Sequence, residues 1–304
     1  MLNGGKRKID FIGIGAMKAA SSWIFEGLKE HPEICVSSEK ETHFFDFPFN
    51  YKKGLGYYYS FFKHCPIDKV IGEYTPSYLQ NPQAISLIYT HFPDAKIIIS
   101  LRNPIDRAYS QYKYNIQLKG RLSIYKDFGE ALEKDFNNII ERGFYYKHIK
   151  NCFNIFPKEQ ILVVFFEDLK KNPKEFIRKI YNFLNLKNQD FIPSIINKKV
   201  LKTGDKFSRD KIPFISTIIF KAASWLNKYR IIKNLINKSL IMEYIRKFVK
   251  YNRRIMDDDA DIIIKSLGTD DTARQYLYNI YKDDIEKLEG LLKRDLSFWK
   301  ENIN

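Results

Sequence analysis

Cysteine is scarce in this chain of 304 residues, and the few cysteines form no recognisable pattern. Cys35, Cys65 and Cys152 lie far apart, without a Cys-x-x-Cys pair and without a histidine at the spacing of metal ligands. The spacing therefore indicates neither a zinc site nor a disulfide framework. It is most typical of a protein in a reducing compartment.

Long apolar runs are missing as well. No segment offers the ~20 uninterrupted apolar residues that a membrane-spanning helix needs. The apolar stretch near the N-terminus is short, contains Gly13 and Gly15, and leads directly into a loop pattern, so we expect no signal peptide. These features predict a cytoplasmic protein.

Acidic residues are too few to balance the basic ones, with 36 Asp and Glu against 51 Lys and Arg and a formal charge of +15. This excess favours anionic partners such as nucleotides, sulfated or phosphorylated glycans, nucleic acid or an acidic membrane surface. Residues 198–254 carry sixteen of the basic residues and three acids, with apolar residues at helical spacing. We favour a basic helical insertion or lid over the active site; the alternative is peripheral contact of residues 206–254 with an anionic membrane.

The apolar segments that remain have the lengths and spacing of buried strands. They are residues 10–14, 34–36, 70–74, 95–101 and 160–166, and helix-like stretches separate them. This alternation predicts an α/β fold of three layers, in which helices flank a central parallel sheet. We expect one domain over residues 1–304, with ligands bound at the carboxyl ends of the strands.

A phosphate-binding loop of the Walker type is also absent, although one stretch comes close. In "GIGAMKAASSW", a buried strand leads through glycines and Lys18 into a helix, an arrangement that offers backbone N–H groups and a cation to a phosphate. A Walker loop places Ser or Thr directly after Gly-Lys to hold magnesium, whereas Ala19 and Ala20 separate Lys18 from Ser21 and Ser22 here. The pattern disfavours a nucleotide kinase, and we expect no metal.

A second stretch, "AKIIISLRNPIDRAYSQY", places a cation at the end of a strand. Arg102 follows the strand, and a helix begins with Asn103 as N-cap and Pro104 at its first position. Ser110 comes two turns later. If the helix packs along the sheet, Arg102 and Ser110 can bind one phosphate together.

Taken with "KETHFF", "GEYTPSYL" and "FFEDLKKNPKEFIRKIYNFLNL", these stretches resemble the sulfotransferases that use 3'-phosphoadenosine 5'-phosphosulfate (PAPS). The resemblance extends over about residues 8–186. It is closest to the bacterial and carbohydrate enzymes, including the heparan sulfate type. It implies a P-loop-like fold and the transfer of a sulfuryl group to a hydroxyl of a carbohydrate or glycolipid, with 3',5'-ADP as the second product.

The resemblance also implies roles for individual residues. Lys18 would stabilise the leaving phosphate, residues 16–22 with Ser21 and Ser22 would hold the 5'-phosphate, and Arg102 with Ser110 would hold the 3'-phosphate. Trp23 would lie against adenine or, equally, pack in the core. The segment "LKTGDKF" gives three further residues that would close over the donor: Lys202, Gly204 and Lys206.

Glu41 in "KETHFF" corresponds to the base that accepts the proton of the acceptor hydroxyl. His43 would point to the same face of an extended segment and line the same pocket as a further catalytic residue, either orienting the pocket or, if Glu41 is not the base, accepting the proton itself. The chain departs from the heparan-type enzymes at Tyr74, where those enzymes carry a second catalytic lysine, although Glu73 keeps its place. The alternative from another class is a non-catalytic basic protein that binds nucleotides or RNA, but no RNA-binding signature is present and we expect no nucleic-acid partner.

Overall fold

The computed structural model describes residues 8–119, 128–197 and 271–300. Five strands form one sheet: β1 (Phe11–Gly15), β2 (Ile34–Val36), β3 (Val70–Tyr74), β4 (Lys96–Leu101) and β5 (Ile161–Phe165). The strand order is β2-β3-β1-β4-β5, and every neighbouring pair is parallel. The predicted parallel α/β sheet is therefore confirmed.

The described helices are α1 (Ser21–Glu30), α2 (Pro48–Tyr51), α3 (Leu55–Ser60), α4 (Pro82–His91), α5 (Pro104–Lys119), α6 (Phe128–Lys134), α7 (Phe136–Ile139), α8 (Tyr145–Ile155), α9 (Phe166–Lys171), α10 (Pro173–Leu184) and α11 (Asp271–Leu292). Three of them, α4, α5 and α10, begin at an Asn-Pro pair. In each pair the asparagine side chain accepts a hydrogen bond from a backbone N–H of the first turn, and proline occupies the first helical position. The capping chemistry read from "RNPIDR" thus recurs along the chain.

The core lies on both faces of the sheet because successive strand residues point to opposite sides. On one face, α1 and α10 pack together through Trp23 and Phe176, with Phe11 beneath them. On the other face, the larger cluster takes in α4, α5, α8 and α11, with Ile12 and Ile14 from the central strand. These are the three layers that the alternation of strands and helices predicts.

The cysteine prediction was wrong: Cys35 in β2 and Cys65 after α3 form a disulfide, with their Cα atoms 5.6 Å apart. The two cysteines are 30 residues apart in sequence, but α3 returns the chain to the β2 edge of the sheet. Cys152 is a buried thiol. Because disulfides persist in oxidising compartments, the cysteines do not support the predicted cytoplasmic location.

None of the helices in the described ranges is long and apolar enough to cross a membrane. The predicted basic insertion at 198–254 lies outside the described residues, and the single-domain assignment stays a prediction.

Candidate functional site

The predicted phosphate loop occupies residues 16–20, between the carboxyl end of β1 and the start of α1. Lys18 and Ala20 both adopt left-handed backbone conformations, with φ of 66° and 68°, which cost a residue with a Cβ about 1 kcal/mol or more each. The end of β4 holds this shape: the Ser100 hydroxyl donates to the Ala19 carbonyl, and the Arg102 guanidinium donates to the Lys18 carbonyl at 3.3 Å. Strain in the loop is thus offset by contacts with the neighbouring strand.

The first turn of α1 faces the loop without a side-chain cap, so its backbone N–H groups remain available to an anion. Ser21 is almost fully buried, whereas Ser22 is exposed. Trp23 points away from this end into the core, where it is 2% exposed and packs edge-on against Phe176. Packing is the role that the structure gives Trp23, and its contact with adenine stays a prediction.

Lys18 is half-buried just before the start of α1. Its ammonium sits over the ring of Tyr114 on α5, 3.1 Å from the ring centroid. Burial lowers the pKa of Lys18 to about 7, against the attraction of Glu41, and the positive charges of Lys40, Arg107 and Arg102 lower it further. A buried amine with neighbouring cations gains from a nearby anion, because the anion restores the preference for the charged form.

Arg102 stands at the carboxyl end of β4, as the sequence predicts. Its guanidinium lies 4.6 Å from the ring of Phe166, and burial lowers its pKa. Its Nε is buried and has no hydrogen-bond partner among the described residues. Ser110 is buried on α5, two turns after its N-cap Asn103, and its pairing with Arg102 at one phosphate stays a prediction. An unpaired donor of a buried guanidinium fits a phosphate ligand.

Glu41 and His43 form one hydrogen-bonded chain with a third residue, Asp46. His43 Nε2 lies 3.2 Å from Glu41, and its Nδ1 lies 3.0 Å from Asp46. The ring of His43 stacks on Phe47, with 4.4 Å between the centroids. Sequence reasoning missed Asp46, although it stands three residues after His43 in "SSEKETHFFDF".

The two carboxylates determine the protonation of this trio. Burial disfavours the charge on His43, but hydrogen bonds to Asp46 and Glu41 outweigh it and raise the pKa of His43 to about 9. Burial likewise opposes ionisation of Glu41, but the hydrogen bond from His43 and the charge of Lys40 lower its pKa to about 2. At neutral pH, therefore, His43 is an imidazolium with no lone pair for a proton, and Glu41 is a carboxylate that can accept one.

Glu73 anchors the segment that carries this trio. Its carboxylate is fully buried and accepts hydrogen bonds from four hydroxyls, those of Thr42, Thr75, Tyr58 and Tyr78, at 2.6–3.2 Å. Burial raises the pKa of Glu73 even so. Because Thr42 lies between Glu41 and His43, the network fixes the direction in which both side chains point.

Tyr74 stands where the heparan-type enzymes carry a second lysine, and it brings no charge to the site. Its hydroxyl donates to the Gly15 carbonyl at 2.8 Å, and burial raises its pKa well above the usual range. Its ring crosses directly over Gly13, where a Cβ atom would come within 2.2 Å of it. Tyr74 therefore supports the base of the phosphate loop as a neutral residue, and it explains why residue 13 is glycine.

Lys40 joins the loop and the trio. Its ammonium lies 3.4 Å from the Ser21 hydroxyl and 3.3 Å from Glu41 Oε1. The structure thus brings together Lys18, Ser21, Glu41 and His43, which the sequence predicted, with Lys40, which it did not single out. Lys202, Gly204 and Lys206 lie outside the described residues.

The described site fits an anionic nucleotide. Lys40 contacts Ser21 at the uncapped start of α1, and Arg102 contacts the carbonyl of Lys18 in the preceding loop while its Nε has no partner within the described ranges. Carboxylates at Glu41 and Asp46 stand on the other side, already neutralised by Lys40 and His43. The site therefore offers a cationic cradle on one side and a proton acceptor on the other.

Known proteins that are similar to this chain are sulfotransferases. A family model described as a sulfotransferase domain matches residues 8–219. The membrane-associated sulfotransferase kil1 of Dictyostelium discoideum is 36% identical over 111 residues, which cover 36% of this chain and 23% of that protein. The mouse heparan sulfate glucosamine 3-O-sulfotransferase 3B1 is 29% identical over 189 residues, which cover 60% of this chain and 48% of that protein. The chain thus spans about half or less of the length of these curated relatives.

Among solved structures, a sulfotransferase from Alicyclobacillus acidocaldarius superposes with a TM-score of 0.64 at 23% identity. The superposition covers 98% of this chain and 100% of that one. At this identity the likeness establishes the fold.

Proposed function

The chain belongs to the sulfotransferase domain family, and we propose that it transfers the sulfuryl group of PAPS to a hydroxyl group of an acceptor molecule. The observation that supports this proposal most is the contact of Glu41, through Lys40, with Ser21 of the phosphate loop. A proton acceptor and a phosphate cradle that share one ammonium would hold an acceptor hydroxyl close to an activated donor.

When bound, PAPS supplies an activated sulfuryl group on a 5'-phosphate. The residues of this chain then have separable tasks. The backbone of residues 16–22 with Ser21 and Ser22 would hold the 5'-phosphate, and Arg102 with Ser110 would hold the 3'-phosphate. Lys18 would place its ammonium at the oxygen where negative charge grows as the bond to sulfur breaks, an interaction worth more in the transition state than before it.

Glu41 would take the proton of the acceptor hydroxyl as its oxygen forms the new bond. A carboxylate with a pKa of about 2 is a weak base toward a resting alcohol. The attacking oxygen becomes acidic as it gives up electron density, so late transfer to Glu41 is sufficient. His43, held as an imidazolium between Glu41 and Asp46, would orient that carboxylate rather than accept the proton.

We propose a carbohydrate or glycolipid as the acceptor. One of the relatives is named for its action on glucosamine in heparan sulfate, and the net charge of +15 is compatible with an anionic acceptor of this kind. Tyr74, neutral where the heparan-type enzymes carry a lysine, argues that the acceptor differs from heparan sulfate itself.

The test combines nucleotide binding with transfer. The full chain is heated with 3',5'-ADP, ADP, ATP or single-stranded RNA, and only 3',5'-ADP is expected to raise the melting temperature strongly, because a ligand stabilises the state that binds it. The protein is then incubated with sulfur-labelled PAPS and a panel of sugars, glycolipids and phenols.

Glu41→Gln keeps the shape of the side chain and removes its basicity. It should lower turnover by ~100-fold or more and leave the affinity for 3',5'-ADP within about threefold. Stabilisation by ATP or RNA without labelled product would support the nucleotide- or RNA-binding alternative. A Glu41→Gln variant that is nearly fully active would exclude the assignment of Glu41 as the base.

A further inference from the structure

The site contains a third lysine-type position, Lys40, which belongs neither to the phosphate-loop motif of Lys18 nor to the end of β3. β3 ends in Glu73 and Tyr74, so it brings no lysine to the site. The Lys40 side chain is only 14% exposed, and its ammonium lies within 3.4 Å of both the Ser21 hydroxyl and Glu41 Oε1. Burying a charge to this degree is unfavourable unless other groups compensate it, so the position of Lys40 calls for an explanation.

The charge of Lys40 reaches both halves of the site. On one side it pairs with Glu41 and helps to keep that group a carboxylate. On the other side it disfavours the protonated form of Lys18, the cation of the phosphate loop. A single ammonium thus couples the ionisation of the base to that of the loop lysine.

Its contacts also leave it a donor to spare. An ammonium has three N–H donors, and Lys40 uses one for Ser21 and one for Glu41 within the described residues. Both contacts are 3.3 Å or longer, so they can be exchanged for a stronger acceptor. An anionic group held by Ser21 would be such an acceptor.

From this geometry we infer that Lys40 is the second cation of the transfer site, the charge that stabilises negative oxygen between the phosphate loop and Glu41. The inference rests on the proposed function, because it assigns Lys40 to that same reaction. Lys40 supplies, from a neighbouring segment, the positive charge that Tyr74 does not supply from β3. It reaches the site from the segment of the base, directly before Glu41 in the chain.

Three variants test the inference. Lys40→Gln keeps a polar side chain that can contact Ser21 and Glu41 but removes the charge, and Lys40→Arg keeps the charge. The control is Lys29→Gln, which removes one positive charge from the exposed end of α1, eight residues and about 12 Å along the helix from Ser21. Turnover, the affinity for 3',5'-ADP and the pH dependence of that affinity are measured for each.

Lys40→Gln should lower kcat at least ~100-fold and weaken 3',5'-ADP by less than about tenfold, since the charge acts mainly in the transition state. Lys40→Arg should recover part of the loss, and Lys29→Gln should match the wild type. The pH at which 3',5'-ADP binding weakens should also rise in Lys40→Gln, because Lys18 is freed from a repelling neighbour. This binding readout needs no turnover.

A Lys40→Gln variant that binds 3',5'-ADP and keeps kcat within about threefold of the wild type would overturn the inference and leave the proposed function intact. A wild-type protein that binds 3',5'-ADP but transfers no label to any acceptor would remove the proposed function. In that case an unmoved pH dependence in Lys40→Gln would overturn the placement of Lys40 as well. If Lys40→Gln does not fold, the comparison is made with Lys40→Met, which keeps the length of the stem; the same kcat and binding outcomes apply.

Discussion

Binding of 3',5'-ADP should weaken as the pH rises from about 6.5 to about 8.5, because Lys18 loses its proton in this interval. Burial lowers the pKa of Lys18 to about 7 in the protein without ligand. The phosphates of the nucleotide would bring negative charge to the loop and favour the ammonium again. Binding should therefore be accompanied by the uptake of a proton, and a ligand that needs a protonated group binds less well above the pKa of that group.

The size of the effect follows from the titration. A group with a pKa of about 7 is about three-quarters protonated at pH 6.5 and about 3% protonated at pH 8.5. The affinity should fall by the ratio of these fractions, about 25-fold, which corresponds to about 2 kcal/mol. His43 should remain protonated over most of this range, since its pKa is raised to about 9, so it contributes little to the change.

Isothermal titration calorimetry measures both quantities. The dissociation constant is followed across the pH range, and the proton uptake near pH 7 is obtained from the dependence of the heat on the ionisation enthalpy of the buffer. Lys18→Met is the essential comparison, because it keeps an unbranched side chain next to Tyr114 and removes the titrating ammonium. The second ionisation of a phosphate, near pH 6, acts in the opposite direction and is common to both proteins.

The ratio of the two dissociation constants therefore isolates Lys18. A ratio that stays constant across the pH range, or a wild-type complex that takes up no more protons than the Lys18→Met complex, would refute the reasoning. Lys18 would then be either fully charged in the free protein or remote from the bound nucleotide.

Two further outcomes are expected. Arg102→Ala should weaken 3',5'-ADP by on the order of 2 kcal/mol or more and leave ADP almost unchanged, because a charge-assisted contact to the 3'-phosphate is lost; equal weakening of both nucleotides in a binding titration would contradict that assignment. His43→Gln should lower the free energy of unfolding by about 1–2 kcal/mol at pH 6 and by less at pH 9. The sign follows because the pKa of His43 is raised in the fold, so its contribution is complete below about 6.5 and is lost as the pH rises through about 9; urea unfolding that shows an equal difference at both pH values would argue against an imidazolium between Glu41 and Asp46.

Local sequence patterns are enough to predict which strands and loops form the site. Continuous apolar runs indicate buried strands, and Asn-Pro pairs indicate helix starts. The parallel sheet and the position of Arg102 at a strand end could therefore be predicted from local patterns. The family could be predicted as well, and the match over residues 8–219 confirms it. The positions of Lys18 and Glu41 in their loops could be predicted from short motifs, because each motif consists of residues that are adjacent in the sequence.

Contacts between groups that are distant in the sequence depend on the three-dimensional fold. The Cys35–Cys65 disulfide, wrongly excluded from the sequence, depends on a helix that returns to the edge of the sheet. The burial of Glu73 among four hydroxyls and the contact of Lys40 with Ser21 likewise join segments with no common motif. Electrostatic contacts of this kind depend on distance and burial in space, and a local pattern records neither. The sequence motifs therefore predict which strands and loops form the site. The protonation of Lys18, Glu41 and His43 depends on the groups that pack around them.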